Sequence, residues 1–207
     1  MPKRFTPVPE SIEEIVLILR RGGVVVFPTD TAYGLGVDAT NPQAIEKVYD
    51  IKGRPQDMPL SIAVATLEDI DRYAVLDDTG RRIARAFLPG PLTLVLSSRR
   101  VLSANHAKGK DTIGVRIPDH RWLSSLLHSF GHPLTATSAN KSGSGACYSI
   151  AAIRESLGEA WSKIDAFIDA GELPSHSVST VLDCTQEPPK ILREGPISGT
   201  DIKRVLL

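Results

Sequence analysis

Two cations and two neutral hydrogen-bonding groups stand in short alternating patterns, Lys52-Gly-Arg54-Pro55 and Ser138-Ala-Asn140. Lysine and arginine supply fixed positive charge; serine and asparagine supply oriented donors and acceptors. That set can hold a nucleotide's phosphates and stabilise charge developing on phosphorus without further catalytic groups. The GxxxxGK[ST] phosphate loop is absent, so this is not a P-loop chain. Each segment alone reads equally well as ordinary surface: a solvated Lys and Arg, and a turn containing Ser and Asn.

Arg116 poses the same choice more sharply. It follows Ile113-Gly-Val115 in an apolar, strand-like run. An unpaired buried charge is expensive, so this arginine pairs either with a ligand carboxylate or with an internal Asp or Glu. The sequence leaves both open. Ser138 lacks a GxSxG elbow and reads as a hydrogen-bonding serine, not a nucleophile. His128 and His132 are four apart, but Gly131 interrupts them and no third ligand is near; His106, His120 and His176 have no ligand spacing either. Gly34-Leu-Gly36-Val-Asp-Ala39 matches GxGxxA. A Pro-Thr-Asp-Thr-Ala-Tyr insert separates it from the preceding strand, which argues against a dinucleotide fold.

The elements that must carry these residues alternate along the chain. Ser11 with Glu14 predicts a capping box, with Ile12, Ile15, Val16 and Leu19 on one helical face and Gly22-Gly23 as the stop. Val24 to Phe27 and Tyr33 to Val37 read as strands. Asn41-Pro42 starts a helix that runs to Lys52, so Lys52 and Arg54 fall at or just past a C-terminus whose dipole favours cations. Strands follow at 59–64, 92–96, 113–117 and 134–137, and near Phe167, Val181 and Ile191. Helices are predicted at 67–73, 79–88, 122–130 and 149–157, with a short one at 199–207. The polar segment Ser97 to Asp111 reads as a mobile loop, a candidate lid. This interleaving predicts an α/β fold with an open mixed sheet.

At 207 residues and 42% hydrophobic, the chain can bury one core, and a single domain over 1–207 is expected. Lys plus Arg and Asp plus Glu both number 24, which argues against nucleic-acid affinity driven by overall charge but not against a local basic cleft. Cys147 and Cys184 suggest no disulfide framework, though one bridge between them is open. With no export signal and no apolar run near the ~20 residues that span a bilayer, a cytoplasmic, membrane-free protein is expected.

Taken in order, six segments resemble the YrdC-type threonylcarbamoyl-AMP synthase family: Pro28-Thr-Asp-Thr-Ala-Tyr-Gly-Leu-Gly36 after its apolar run, Lys52-Gly-Arg-Pro55, Thr112-Ile-Gly-Val-Arg-Ile-Pro118, Thr137-Ser-Ala-Asn-Lys-Ser-Gly143, Ser179-Thr-Val-Leu-Asp183 and Ile191-Leu-Arg-Glu-Gly195. The resemblance runs from about Ile12 to Gly195, in the form without the extra C-terminal domain of longer relatives. It implies a twisted open sheet flanked by helices with a large concave cleft. It also implies synthesis of threonylcarbamoyl-AMP and pyrophosphate from L-threonine, bicarbonate or CO2, and ATP, for N6-threonylcarbamoyladenosine at tRNA position 37. Mg2+ would accompany ATP, and a tRNA threonylcarbamoyl transferase machinery would take the product.

Carried over by residue, the resemblance assigns Lys52, Arg54, Thr112, Ser138, Asn140 and Arg193 to the nucleotide, with Lys52 and Arg54 catalytic. Thr31, Arg116 and Ser179 fall to threonine. Three positions depart from it: a His is Ala63, an Asn is Met58 and a Ser is Ala146. Two other readings stay open. One is an RNA-binding module, since the family is associated with tRNA and double-stranded RNA and Arg99, Arg100, Lys108 and Lys110 form a basic segment. The other is a synthase-inactive paralogue of the same fold.

Overall fold

The computed structural model describes residues 1–102, 110–175 and 178–207. Residues 103–109 of the expected lid, Lys108 and His106 among them, and His176 lie outside the described residues. In chain order the elements are β1 (Lys3–Phe5), α1 (Ile12–Arg20), β2 (Val25–Phe27), β3 (Gly34–Gly36), α2 (Pro42–Lys52), β4 (Ser61–Ala63), α3 (Leu67–Tyr73), β5 (Ala74–Val75) and α4 (Asp78–Phe87). Then come β6 (Leu92–Ser98), β7 (Thr112–Arg116), α5 (Arg121–Phe130), β8 (Leu134–Ser138), α6 (Ile150–Leu157), β9 (Ala166–Ile168), β10 (Thr180–Asp183), β11 (Lys190–Arg193) and α7 (Gly199–Leu206).

The strands form one sheet in the order β1-β9-β2-β3-β8-β4-β7-β6-β10-β11, with β5 paired to β6. Four pairings are parallel, β1–β9, β9–β2, β4–β7 and β6–β10. The remainder are antiparallel. This is the mixed α/β sheet that the interleaved elements predict.

The two halves of the sheet are covered differently, and that difference makes the site. Around β2 both faces are buried: Val24 and Val26 pack with α2 and α6, while Val25 and Phe27 pack with α1 and α5. A strand covered on both sides reads as a continuous apolar run, as Val24 to Phe27 does. In the other half Ile62, Leu94, Leu96, Val115 and Leu182 pack on one face with Ile70 of α3, Ile83 of α4 and Ile202 of α7. Burying each such aliphatic stabilises by roughly 1.5–3 kcal/mol, which fixes the register. The alternate residues, Ser61, Thr93, Gly114 and Val181, must then take the opposite face.

Two local expectations fail for identifiable reasons. Ser11 and Glu14 form no capping box. A 3-10 turn over Pro9–Ser11 puts Ser11 in helical geometry (φ −77°, ψ −18°), not the extended geometry that a cap needs. Its hydroxyl donates to Val8 O at 2.7 Å and accepts from Trp122 Nε1 at 3.1 Å, while Glu14 pairs with Lys3 at 2.6 Å. The expected loop from Ser97 begins later, because β6 runs to Ser98, whose N–H donates to Asp111 O at 2.8 Å. The two cysteines are free thiols. The GxGxxA glycines lie in β3 against Phe27, whose ring carbons would come within 2.7 Å of a Cβ at position 34 and 2.6 Å of one at 36. These glycines serve strand packing, not a phosphate turn.

Candidate active site

The site begins at the two ends of α2. Asn41 caps its start, with Oδ1 accepting from Gln43 N at 3.0 Å and Ala44 N at 3.1 Å, and Gly53 in the left-handed region ends it. Lys52 is therefore the last helical residue, and it is not a solvated loop cation: only 1% of it is exposed. Its ammonium donates to the carbonyl oxygens of Ser138 at 2.5 Å and Asn140 at 2.8 Å, with Asn140 Oδ1 at 3.4 Å. Burial, and then the neighbouring Arg54 guanidinium, pull its pKa down to about 7. Asn140 is also turned inward: its Oδ1 accepts from Ser138 Oγ, and its Nδ2 donates to Lys141 O at 2.7 Å. The two motifs of the sequence thus meet, but as a brace in which Lys52 clamps the loop after β8.

Beside this brace lies a cavity of about 230 Å3, lined by Arg54, Arg116, Arg193 and the hydroxyl-bearing residues Thr29, Thr31, Tyr33, Ser61, Thr93, Thr137, Ser138 and Ser179. Among the described residues every charged group lining it is an arginine. Arg54 reaches it from the turn after α2, where Nε donates to Met58 O at 3.2 Å and Nη2 to Pro59 O at 2.9 Å. Arg193, on β11, donates from Nε and Nη2 to Ser179 O at 3.1 and 2.9 Å, and from Nη2 to Ser179 Oγ at 3.1 Å. Burial, then Arg116, lower the Arg193 pKa. Ser179 Oγ lies 3.0 Å from Thr93 Oγ1.

Arg116 differs from the other two arginines. Its Nη1 donates to Thr31 Oγ1 at 2.9 Å, and its Nη2 to Asp30 Oδ1 at 2.5 Å. The sequence left a ligand carboxylate and an internal acid open as partners; Asp30 is the internal acid, and Arg116 still lines the cavity. Of the eight other candidate residues, five line it too: Thr31, Arg116, Ser138, Ser179 and Arg193. Lys52 and Asn140 stand behind it. Thr112 opens β7 opposite Ser97, four residues and so about 13 Å along the strand from Arg116. Sequence reasoning missed Asp30, Thr29, Ser61, Thr93 and Thr137. Thr29 and Asp30 had a signal in Pro28-Thr-Asp-Thr, beside Thr31, and Thr137 in Thr137-Ser-Ala-Asn; Ser61 and Thr93 had none. Among the described residues no three His, Cys, Asp or Glu groups converge as a metal site.

The family model described as Sua5_yciO_yrdC, telomere recombination, matches residues 17–195. The chain belongs to this family. It is 37% identical to the threonylcarbamoyl-AMP synthase of Pyrococcus abyssi, over 91% of this chain and 55% of that protein. It is 34% identical to the threonylcarbamoyl-AMP synthase of Vibrio vulnificus, over 89% of this chain and 98% of that one. The solved structure of P. abyssi Sua5 complexed with L-threonine matches with a TM-score of 0.90 at 35% identity, covering 100% of this chain and 60% of that one. The chain spans just over half the length of the Pyrococcus relative and nearly all of the Vibrio relative.

The three positions at which the sequence departs from the expected pattern fall in different places. Ala63 lines the cavity with its small side chain. Met58 is 45% exposed, and its carbonyl holds Arg54 and Tyr49 whatever its side chain. Ala146 precedes Cys147, whose carbonyl accepts from Tyr33 N at 3.1 Å. Of the basic segment, Arg99 donates to Ala74 O at 3.2 Å and Arg100 pairs with Asp111.

Proposed function

We propose that this chain is an L-threonylcarbamoyladenylate synthase, a nucleotidyltransferase that joins L-threonine, bicarbonate or CO2, and ATP. The observation that carries the reading is the cavity itself: three arginines and eight hydroxyl-bearing residues line it, and among the described residues no carboxylate does. Such a lining suits a polyanion together with a small hydroxylated amino acid. The names of the Pyrococcus and Vibrio relatives, and the threonine in the Sua5 complex, support the same chemistry.

In this reading Arg54, Ser138 and Arg193 meet the triphosphate, Thr112 extends the nucleotide side along β7, and Thr31, Arg116 and Ser179 meet threonine. Lys52 and Asn140 act by holding the Ser138 loop rigid. Bicarbonate takes up a proton and loses water to give CO2; the neutral threonine amine adds to CO2 and releases a proton, giving a carbamate. A carbamate oxygen bonds to the α-phosphorus as the bond to the bridging oxygen breaks, and pyrophosphate leaves. The protein's work is positioning and charge neutralisation, which needs no protein nucleophile. Mg2+ arrives with ATP as part of the substrate. The product serves N6-threonylcarbamoyladenosine at tRNA position 37 through a tRNA threonylcarbamoyl transferase machinery. That role belongs to the cytoplasm, and among the described residues no helix is long and apolar enough to cross a membrane.

Purified protein should release pyrophosphate from ATP only when L-threonine and bicarbonate are both present. Release that ignores threonine overturns the reading. A folded protein that binds ATP and threonine but releases nothing is the synthase-inactive paralogue.

A further inference from the structure

The three arginines of the cavity are not electrically alike. Among the described residues Arg54 and Arg193 contact neutral partners, the carbonyls of Met58 and Pro59 for one and Ser179 for the other. Arg116 alone carries a carboxylate, Asp30, at 2.5 Å, with the two side chains 10% and 12% exposed. The contact is single-toothed: Asp30 Oδ2 and Arg116 Nε are both buried without a hydrogen-bond partner among the described residues. Thr31 fixes the remaining edge of the guanidinium at 2.9 Å. His120 also lies within the field of Asp30.

We infer that Asp30 selects the class of ligand at the Arg116 end of the cavity, favouring a zwitterionic α-amino acid over a plain carboxylate of the same shape. An anion docking on Arg116 meets a guanidinium already half-claimed by a carboxylate, and like charges this close repel. An α-amino acid brings a cation next to its own carboxylate and offsets that repulsion. Arg54 and Arg193, held by carbonyl oxygens, keep their charge for phosphates. Specificity of this kind comes from what is disfavoured as much as from what is bound. Asp30 does not line the cavity; it acts through Arg116 and is a positioning residue, not a catalytic one. The inference rests on the threonine assignment proposed above and adds its electrostatic basis.

The test is calorimetric binding of L-threonine and of its des-amino analogue, (R)-3-hydroxybutyrate, to wild type, Asp30→Asn and Asp30→Glu, with circular dichroism as the folding check. Wild type should bind threonine at least about tenfold more tightly than the analogue, Asp30→Glu should keep most of that gap, and Asp30→Asn should shrink it about fivefold or more. A folded Asp30→Asn with an unchanged gap overturns the inference. If Asp30→Asn does not fold, wild type decides with Asp30→Glu: equal binding of both ligands by wild type overturns the inference, and a gap retained by both proteins supports it. No binding of threonine by wild type sinks the threonine assignment; binding without discrimination sinks only the role of Asp30.

Discussion

Lys52 Nζ donates at 2.8 Å to the carbonyl oxygen of Asn140, 88 residues along the chain. This bond and its partner to Ser138 lock the end of α2 to the loop after β8. Lys52→Met leaves both carbonyls without their donor, and an unsatisfied buried acceptor costs about 1–3 kcal/mol. The variant should therefore lose roughly that much stability at pH 9, measured by urea unfolding, and much of its pyrophosphate release.

The same lysine gives a signed pH dependence. Its pKa falls from 10.5 to about 7 on folding, because burial and then Arg54 disfavour the ammonium. Between those values the unfolded chain holds a proton that the folded chain has released, so stability rises with pH across the window. The cost of burying the charge is full below pH 7 and is relieved towards pH 10. The unfolding free energy of wild type minus that of Lys52→Met should climb over that range and stay level below it. A flat difference throughout would mean that the lysine keeps an ordinary pKa.

Arg54 donates to the carbonyls of Met58 and Pro59 on its own exposed turn, which holds the guanidinium but little else. Arg54→Ala should fold like wild type and lose at least tenfold in turnover, since a charge-assisted contact contributes about 1.5–3 kcal/mol. ATP affinity should drop while threonine affinity holds, as read by titration of each ligand. Wild-type turnover in the folded variant would remove Arg54 from the phosphate side.

Arg116 serves Thr31 and Asp30 from two nitrogens at once. A lysine at this position offers one compact charge and cannot reproduce the planar fork. Arg116→Lys should weaken threonine by tenfold or more and ATP by no more than about threefold, since a hydrogen bond to a charged group contributes about 1.5–3 kcal/mol. A folded variant that loses ATP and keeps threonine would move Arg116 to the nucleotide.

What the sequence revealed and what it concealed divide along the range of the interactions involved. Asn41-Pro42 and Gly53 delimit α2 with local chemistry alone, and the alternation Leu92-Thr-Leu-Val-Leu-Ser97 already separates the core face of β6 from its open face. The burial of Lys52 was not legible. A lysine ending a helix reads as solvated unless the carbonyls of Ser138 and Asn140 are known to lie over it. Asp30 escaped notice for the same reason, because its partner is 86 residues away. Ser11 shows the opposite failure: its local pattern with Glu14 was sound, but Pro9 imposes a 3-10 turn and Trp122 claims the hydroxyl.

Gly114 ties the sheet to the cavity. It sits in β7 between Thr112 and Arg116 on one face, paired with Val95 of β6. A Cβ there would overlap Ser61 Oγ, reach Ser61 Cβ at 3.1 Å and touch Thr93 Cγ2 at 3.4 Å. Ser61 and Thr93 both line the cavity, so the missing side chain is what lets their hydroxyls face it. The neighbour that must move is a small side chain, not backbone, so Gly114→Ala should fold with a stability change within about 1–2 kcal/mol. Ligand affinity should fall about fivefold or more, because the methyl group forces Ser61 aside. Removing the clashing oxygen in Gly114→Ala/Ser61→Ala should recover part of that loss, a non-additivity expected only of groups in contact. Isothermal titration of the single and double variants measures it. Strict additivity would mean that Ser61 and Gly114 do not share the floor of the binding cavity.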